Sequence, residues 1–372
     1  MTRLGQVNAP RTLRTSVLAA VLASSAFAFG CGDDDNSDEG ATTGSSNAAD
    51  LAPVKSYLTE HADDLNTQVD VMTENAERYY ELAQAANFDY GRLMAENGDE
   101  VEELLAESKE AFQAANPAYE EMEGIVAGVP RLAQYDVDID AGSDASDPES
   151  AVSFSLDVPG GQTLKQPGNL FFLTETALYG TNKDLLADAP QDVDGDGKAS
   201  FGEGLPDAKK YVATLRKFDE MTDDLVTDAD KFEPTPSDAF TAITVMTPTM
   251  SEYFEAWKNS RFISGSDATE LGFVATSRLS DIADILEGIR FTYDEIQPTV
   301  EAEAPQQAEQ TARELNRLIK FVTELRDREE QGTKFTGEQA DTLGSEAQAR
   351  AEEIAGQVTQ AAQRLGIELQ DS

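Results

Sequence analysis

The stretch TGEQADTLGSEAQARAEEIAGQVTQAAQRL, residues 336–365, decides the fold class. Its apolar positions Leu343, Ala347, Ala351, Ile354, Val358, Ala361 and Leu365 recur in steps of three or four, the period of one helical face. Thr336 and Gln339 stand where a capping box starts a helix, each side chain satisfying a free backbone N–H of the first turn. Working backward, Leu315, Ile319, Val322 and Leu325 repeat the period. So do Leu271, Val274, Ile282, Ile285, Ile289, Tyr293 and Ile296 before them. At the other end, Val54, Leu58, Leu65, Val69 and Met72 share the face of a first helix. Strand-like alternation is confined to Ser153-Phe154-Ser155-Leu156-Asp157-Val158.

Glu233-Pro234-Thr235-Pro236 marks a boundary, because two prolines cannot continue a helix and Ser237 or Asp238 can cap the next one. After it the period predicts helices at about 238–261, 268–297, 301–330 and 337–366, with Pro248 kinking the first. Before it, helices are predicted near 51–85, 97–128, 168–187 and 204–230, with an irregular segment from about Pro130 to Pro167. The expectation is an all-α protein of two packed four-helix bundles, residues 51–233 and 234–372.

The charge balance excludes whole classes of partner. In 372 residues, 28 Lys+Arg face 71 Asp+Glu, a net charge of −43. Such a polyanion repels phosphate backbones, so nucleic acid is not an expected partner. A single Cys permits no internal disulfide and no thiolate zinc site, and a single His permits no three-His metal site.

Arg3, Arg11 and Arg14 precede an apolar run from Val17 to Phe29, which ends at Gly30-Cys31. A basic segment, a short apolar segment and small residues before a cysteine resemble a bacterial lipoprotein signal. That resemblance makes residues 1–30 a removed signal peptide and Cys31 the lipidated residue. The protein is then held at the bacterial cell envelope, on the periplasmic face or the outer-membrane surface, with the membrane as a partner. An ordinary signal peptide with an incidental Cys is the alternative. Removing residues 1–30 changes the balance to 25 − 71 = −46. Residues 31–50, acidic and without a large apolar side chain, read as a solvated tether.

Two constellations carry possible chemistry. Asp192-Val-Asp194-Gly-Asp196-Gly197-Lys198-Ala-Ser200-Phe-Gly-Glu203 has the spacing of a twelve-residue EF-hand loop. Asp192, Asp194 and Asp196 would give carboxylates to Ca²⁺, Lys198 its carbonyl, Ser200 a direct or water-mediated contact, and Glu203 a bidentate carboxylate. Ala199 and Pro190 depart from the usual pattern, and no second loop is present to pair with it. A structural ion therefore fits better than a sensor, and a solvated acidic loop is the bland alternative.

The second constellation is Tyr119-Glu120-Glu121-Met122-Glu123, then Gln134-Tyr135-Asp136-Val-Asp138-Ile-Asp140, then Leu170-Phe171-Phe172-Leu173-Thr174-Glu175 running on to Tyr179-Gly180. It resembles the imelysin-like family, and within it the EfeM/EfeO type of periplasmic iron-uptake lipoprotein. The resemblance spans about residues 51–366. It implies two four-helix bundles, iron or other metal-ion handling at the envelope, and a peptidase label. It also implies a Gly-x-His-x-x-Glu helix, whose Gly falls on Leu170 and whose His falls on Phe172, leaving Glu175. Glu120, Glu123 and Glu175 are then the family-derived metal candidates. On composition alone, Glu120 and Glu123 read equally well as a solvated acidic face, and Glu175 as a buried carboxylate paired with an Arg or a Tyr hydroxyl. Tyr119 reads as core, and His61 as an exposed side chain.

The sequence contains no Gly-x-Ser-x-Gly, no His-Glu-x-x-His and no phosphate-cradling Gly loop, so no catalytic residue is assigned and an enzyme is not expected. The leading expectation is a lipid-anchored, imelysin-like protein that binds an iron-type cation through carboxylates and passes it to an envelope permease or receptor. The alternatives are a non-catalytic interaction protein that has lost the metal site and keeps only Ca²⁺, and, third, an imelysin-type peptidase.

Overall fold

A computed structural model describes residues 49–188 and 201–370. The long helices are α1 (Ala52–Ala85), α2 (Tyr90–Val126), α5 (Ala208–Lys231), α9 (Arg278–Glu303), α10 (Pro305–Glu330) and α11 (Gly337–Leu365). Shorter ones are α3 (Ala133–Asp136), α4 (Leu170–Leu178), α6 (Pro236–Met246), α7 (Met250–Asn259) and α8 (Arg261–Ser264). A hairpin of β1 (Ser155–Val158) and β2 (Gln162–Lys165) pairs Ser155 with Lys165 and Val158 with Gln162. The fold is all-α. None of the described helices is long and apolar enough to cross a membrane.

The described residues form one compact unit. In it α1 packs on α2 and α5, and α4 on α5. Beyond the Pro234–Pro236 boundary α10 packs on α9 and α11, and α11 on α6 and α7. The seam between these groups is α2 against α9. Glycine makes that seam close: a Cβ built on Gly288 would lie 1.9 Å from the Glu121 carbonyl oxygen, and one on Gly124 would lie 3.1 Å from Ile289. The two backbones nearly touch, which fixes the side chains α2 and α9 carry toward each other.

The predicted stripes are buried where they are helical. Val54, Leu58, Leu65, Val69 and Met72 are buried, as are Ala347, Ala351, Ile354, Val358 and Ala361, and the Thr336–Gln339 capping box forms. Several boundaries need correction. The expected 97–128 helix starts at Tyr90, because Asp89 caps it by accepting from Arg92 N at 3.0 Å, and Asn97 only kinks it. The expected 168–187 helix stops at Leu178, where Gly180 takes φ +71°. Pro248 breaks the expected 238–261 helix outright into α6 and α7, with a 3₁₀ turn between them. The expected 268–297 helix starts ten residues late, at Arg278. Leu271 and Val274 lie in a loop, with Leu271 exposed and Phe273 at φ +51°. The expected 301–330 helix starts at Pro305, since Ala304 at φ −148° ends α9.

Candidate functional site

Glu120 and Glu123 lie one turn apart on α2 and are 1% and 3% exposed, so the solvated-face reading of this pair is wrong. Their burial follows from the α2–α9 seam, which turns the acidic face of α2 inward. Asp140 joins them from a π-helical turn, Val137–Ala141, that continues α3. Glu120, Glu123 and Asp140 each offer an oxygen within 4.8 Å of the others, the geometry of a cation cage. The Asp136-x-Asp138-x-Asp140 run alternates like a strand, yet it is helical. Asp136 and Asp140, four apart, both face the cluster, while Asp138 turns away to accept from Ser153 N and Ser153 Oγ, each at 2.6 Å.

Phenols and an amide tie down part of the cage. Tyr119 OH donates to Asp136 Oδ1 at 2.7 Å, Tyr253 OH to Glu123 Oε1 at 2.8 Å, and Asn116 Nδ2 to Glu120 Oε1 at 3.1 Å. Tyr119 is thus core and site together. Arg278, at the start of α9, sends Nη1 to Glu120 Oε1 at 3.1 Å and to Asp281 Oδ2 at 3.2 Å, with Nη2 3.7 Å from Asp140 Oδ2. Its guanidinium carbon lies 4.5 Å from the ring centroids of both Tyr253 and Phe273. Among the described residues, this one cation faces five carboxyls, those of the buried Glu120, Glu123, Asp136 and Asp281 and of the half-buried Asp140. Burial pushes Asp140 up to about 7 and Asp281 up to about 6 despite Arg278, and it raises Asp136 as well, with Glu123 and Asp140 adding repulsion. Glu120 Oε2, Glu123 Oε2 and Asp281 Oδ1 are buried with no hydrogen-bond partner. A buried carboxylate oxygen without a donor is costly, and three in one cluster are what a bound cation would satisfy.

The cage opens on a cavity of about 660 Å³. Glu123, Asp136, Asp140, Arg278 and Asp281 form its polar side, while Phe112, Phe171, Phe172, Phe273 and Tyr253 form its aromatic side. Phe172 is half-buried; its ring lies beside Gly168 and Gly272, where a Cβ would stand 3.6 and 3.4 Å from it.

Glu175 also lines this cavity but is not one of the three clustered carboxylates. It has no Arg or Tyr partner among the described residues. Its Oε1 accepts from Val274 N and Ala275 N, each at 2.8 Å, while burial outweighs these bonds and raises its pKa to about 7. The carboxylate therefore ties down the loop that holds Phe273 over Arg278.

His61 is not exposed, contrary to expectation. Its Nε2 lies 3.1 Å from Glu121 Oε2, and its ring meets Tyr57 edge-on at 4.1 Å. It packs against the face of α2 that carries Glu121, not the face that carries the cage. Glu203 is 6% exposed. Asp192, Asp194, Asp196, Lys198 and Ser200 lie outside the described residues, as does Cys31.

Sequence reasoning misses Arg278 and Asp281. The only local signal is Arg278 three residues before Asp281, just inside a serine-capped start, and the expected helix runs straight through that point. Asp140 is visible as the end of an aspartate run, but nothing in its spacing marks it as a ligand.

The sequence model of the imelysin family, designated Peptidase M75, matches residues 51–358, and the chain belongs to that family. Comparison with curated proteins gives no match.

Proposed function

We propose that this imelysin-family protein binds a hard metal ion, of the iron type, in the Glu120–Glu123–Asp140 cage, and presents it at the bacterial cell envelope in the manner of EfeM/EfeO-type lipoproteins. The observation that carries this is the convergence of two buried carboxylates and the half-buried Asp140, with two orphaned oxygens, Glu120 Oε2 and Glu123 Oε2. Hard cations prefer such oxygen donors. Glu175 is the reading's wall residue rather than its ligand. Cys31 would anchor the chain by lipidation, and residues 192–203 would hold a structural Ca²⁺ with Glu203 closing the loop. An envelope permease or receptor would take the metal onward.

The peptidase designation finds no chemistry in this reading. His61 is engaged with Glu121 and Tyr57, and no serine is paired with it among the described residues. A second reading, an interaction protein that has lost the metal site and keeps Ca²⁺ alone, is favoured by Phe172 at the position where the resemblance would place a histidine.

Melting of the purified protein with Fe³⁺ and with Ca²⁺ separates the two. Stabilisation by Fe³⁺ that disappears in Glu123→Gln supports the cage. Stabilisation by Ca²⁺ alone, lost in Glu203→Gln, supports the second reading and ends the first.

A further inference from the structure

The three carboxylates of the cage offer three oxygens if each binds through one. A hard cation takes about six oxygen ligands, so about three positions are left for other donors. Glu123 and Asp140 line the cavity of about 660 Å³, far more room than a few waters need, and the same cavity has an aromatic side. Phe172 presents a flat apolar ring in a slot between Gly168 and Gly272. Phe171 and Phe112 continue the wall, their ring centroids 5.5 Å apart, and Phe273 and Tyr253 close it around Arg278. Arg278 Nε is buried without a hydrogen-bond partner, a donor available to an anionic oxygen.

We infer that the cleft takes its metal as a ternary complex with a small aromatic oxygen chelator of the catecholate class, whose ring lies on the Phe172 wall while its two oxygens fill two of the remaining coordination positions and a water the last. This inference rests on the metal reading above and names the form in which the metal arrives. Flat apolar rings favour offset stacking on aromatic walls. Charge selects the stoichiometry. A ferric ion with one catecholate, formed with loss of two protons from catechol, keeps a net positive charge and suits a carboxylate cage. The tris-catecholate complex is strongly anionic, has no vacant coordination position, and is repelled by Glu123, Asp140 and Asp281. Arg278 Nε, a buried donor without a partner, would hydrogen-bond a chelator oxygen.

Equilibrium dialysis of the purified protein against Fe³⁺ alone, catechol alone, and Fe³⁺ with equimolar catechol tests this, read by iron content and by the visible charge-transfer absorption of a ferric catecholate. The expected result is co-retention of iron and catechol in equal amounts, with at least about tenfold tighter retention of iron than in the iron-only arm. Phe172→Ala should lose that enhancement and leave the iron-only arm unchanged; Glu123→Gln should lose iron in both. Iron retained equally with and without catechol overturns the inference and leaves the metal reading standing. Catechol retained without iron also overturns it. No iron in either arm overturns the metal reading and the inference together.

Discussion

Arg278 Nη1 donates to Glu120 Oε1 across 3.1 Å, and both residues are buried in the cage wall. Removing the guanidinium strands Glu120 and Asp281 without a counter-charge. Breaking one partner of a buried pair costs ~3–5 kcal/mol. Arg278→Met should therefore lower the melting temperature of metal-free protein by many degrees and enlarge the stabilisation that added Fe³⁺ confers, since the ion replaces the missing charge. Thermal scans with and without Fe³⁺ check this, and equal metal shifts in variant and wild type would count against the cage.

Glu175 divides by chemistry rather than charge. Glu175→Gln keeps an oxygen for Val274 N and Ala275 N, whereas Glu175→Ala leaves both N–H groups unsatisfied at a cost of ~2 kcal/mol or more. The Gln variant should melt near wild type and the Ala variant well below it. If both fall equally, Glu175 acts through its charge and not as the clamp of the 271–276 loop.

The α2–α9 seam has no room for a methyl group at Gly288, where an added Cβ would fall 1.9 Å from the Glu121 carbonyl oxygen. Gly288→Ala should force the helices apart and cost ~3 kcal/mol or more, beyond any gain in helix propensity. Gly356→Ala on α11, where a Cβ meets nothing, should be neutral or stabilising. Urea unfolding of the two variants gives the comparison directly.

Asp284, half-buried on α9, is pushed up to about 7 by burial and by Asp281, Glu121 and Glu287, against Arg326. An unfolded Asp titrates near 4, so between about 4 and 7 the native chain keeps a proton that the unfolded chain has lost. Stability contributed by this group is therefore full at the low end of that window and declines as pH rises through it. Asp284→Asn should flatten that decline and gain ~1–2 kcal/mol at pH 8, allowing for solvent screening. Denaturant midpoints at pH 5 and pH 8 test the sign.

The helices are legible because burial writes its period into the sequence: Val54 through Met72 and Ala347 through Ala361 are buried as spaced. Element ends are legible only where a local cap is self-contained, as at Thr336–Gln339. The start of α9 is not, because a tertiary contact sets it: Glu175, a hundred residues away, holds Ala275 N and keeps the preceding loop from winding. The β2 strand is hidden because its burial is too slight to leave an alternating pattern. Half of the cage is readable, since Glu120 and Glu123 share a helical face. Their burial is not, because composition makes every acidic face look solvated. Arg278 is invisible for a related reason, its role depending on the close approach that Gly288 and Gly124 allow.

Iron stoichiometry in Glu120→Gln/Glu123→Gln is the most direct test of the cage. These substitutions remove two carboxylate charges but keep the shape of each side chain and an oxygen for Asn116, Arg278 and Tyr253. After dialysis against Fe³⁺, with and without catechol, wild type should retain one iron per chain, while the double variant, with its helical circular dichroism intact, should retain none. Equal iron in the two proteins would contradict the account.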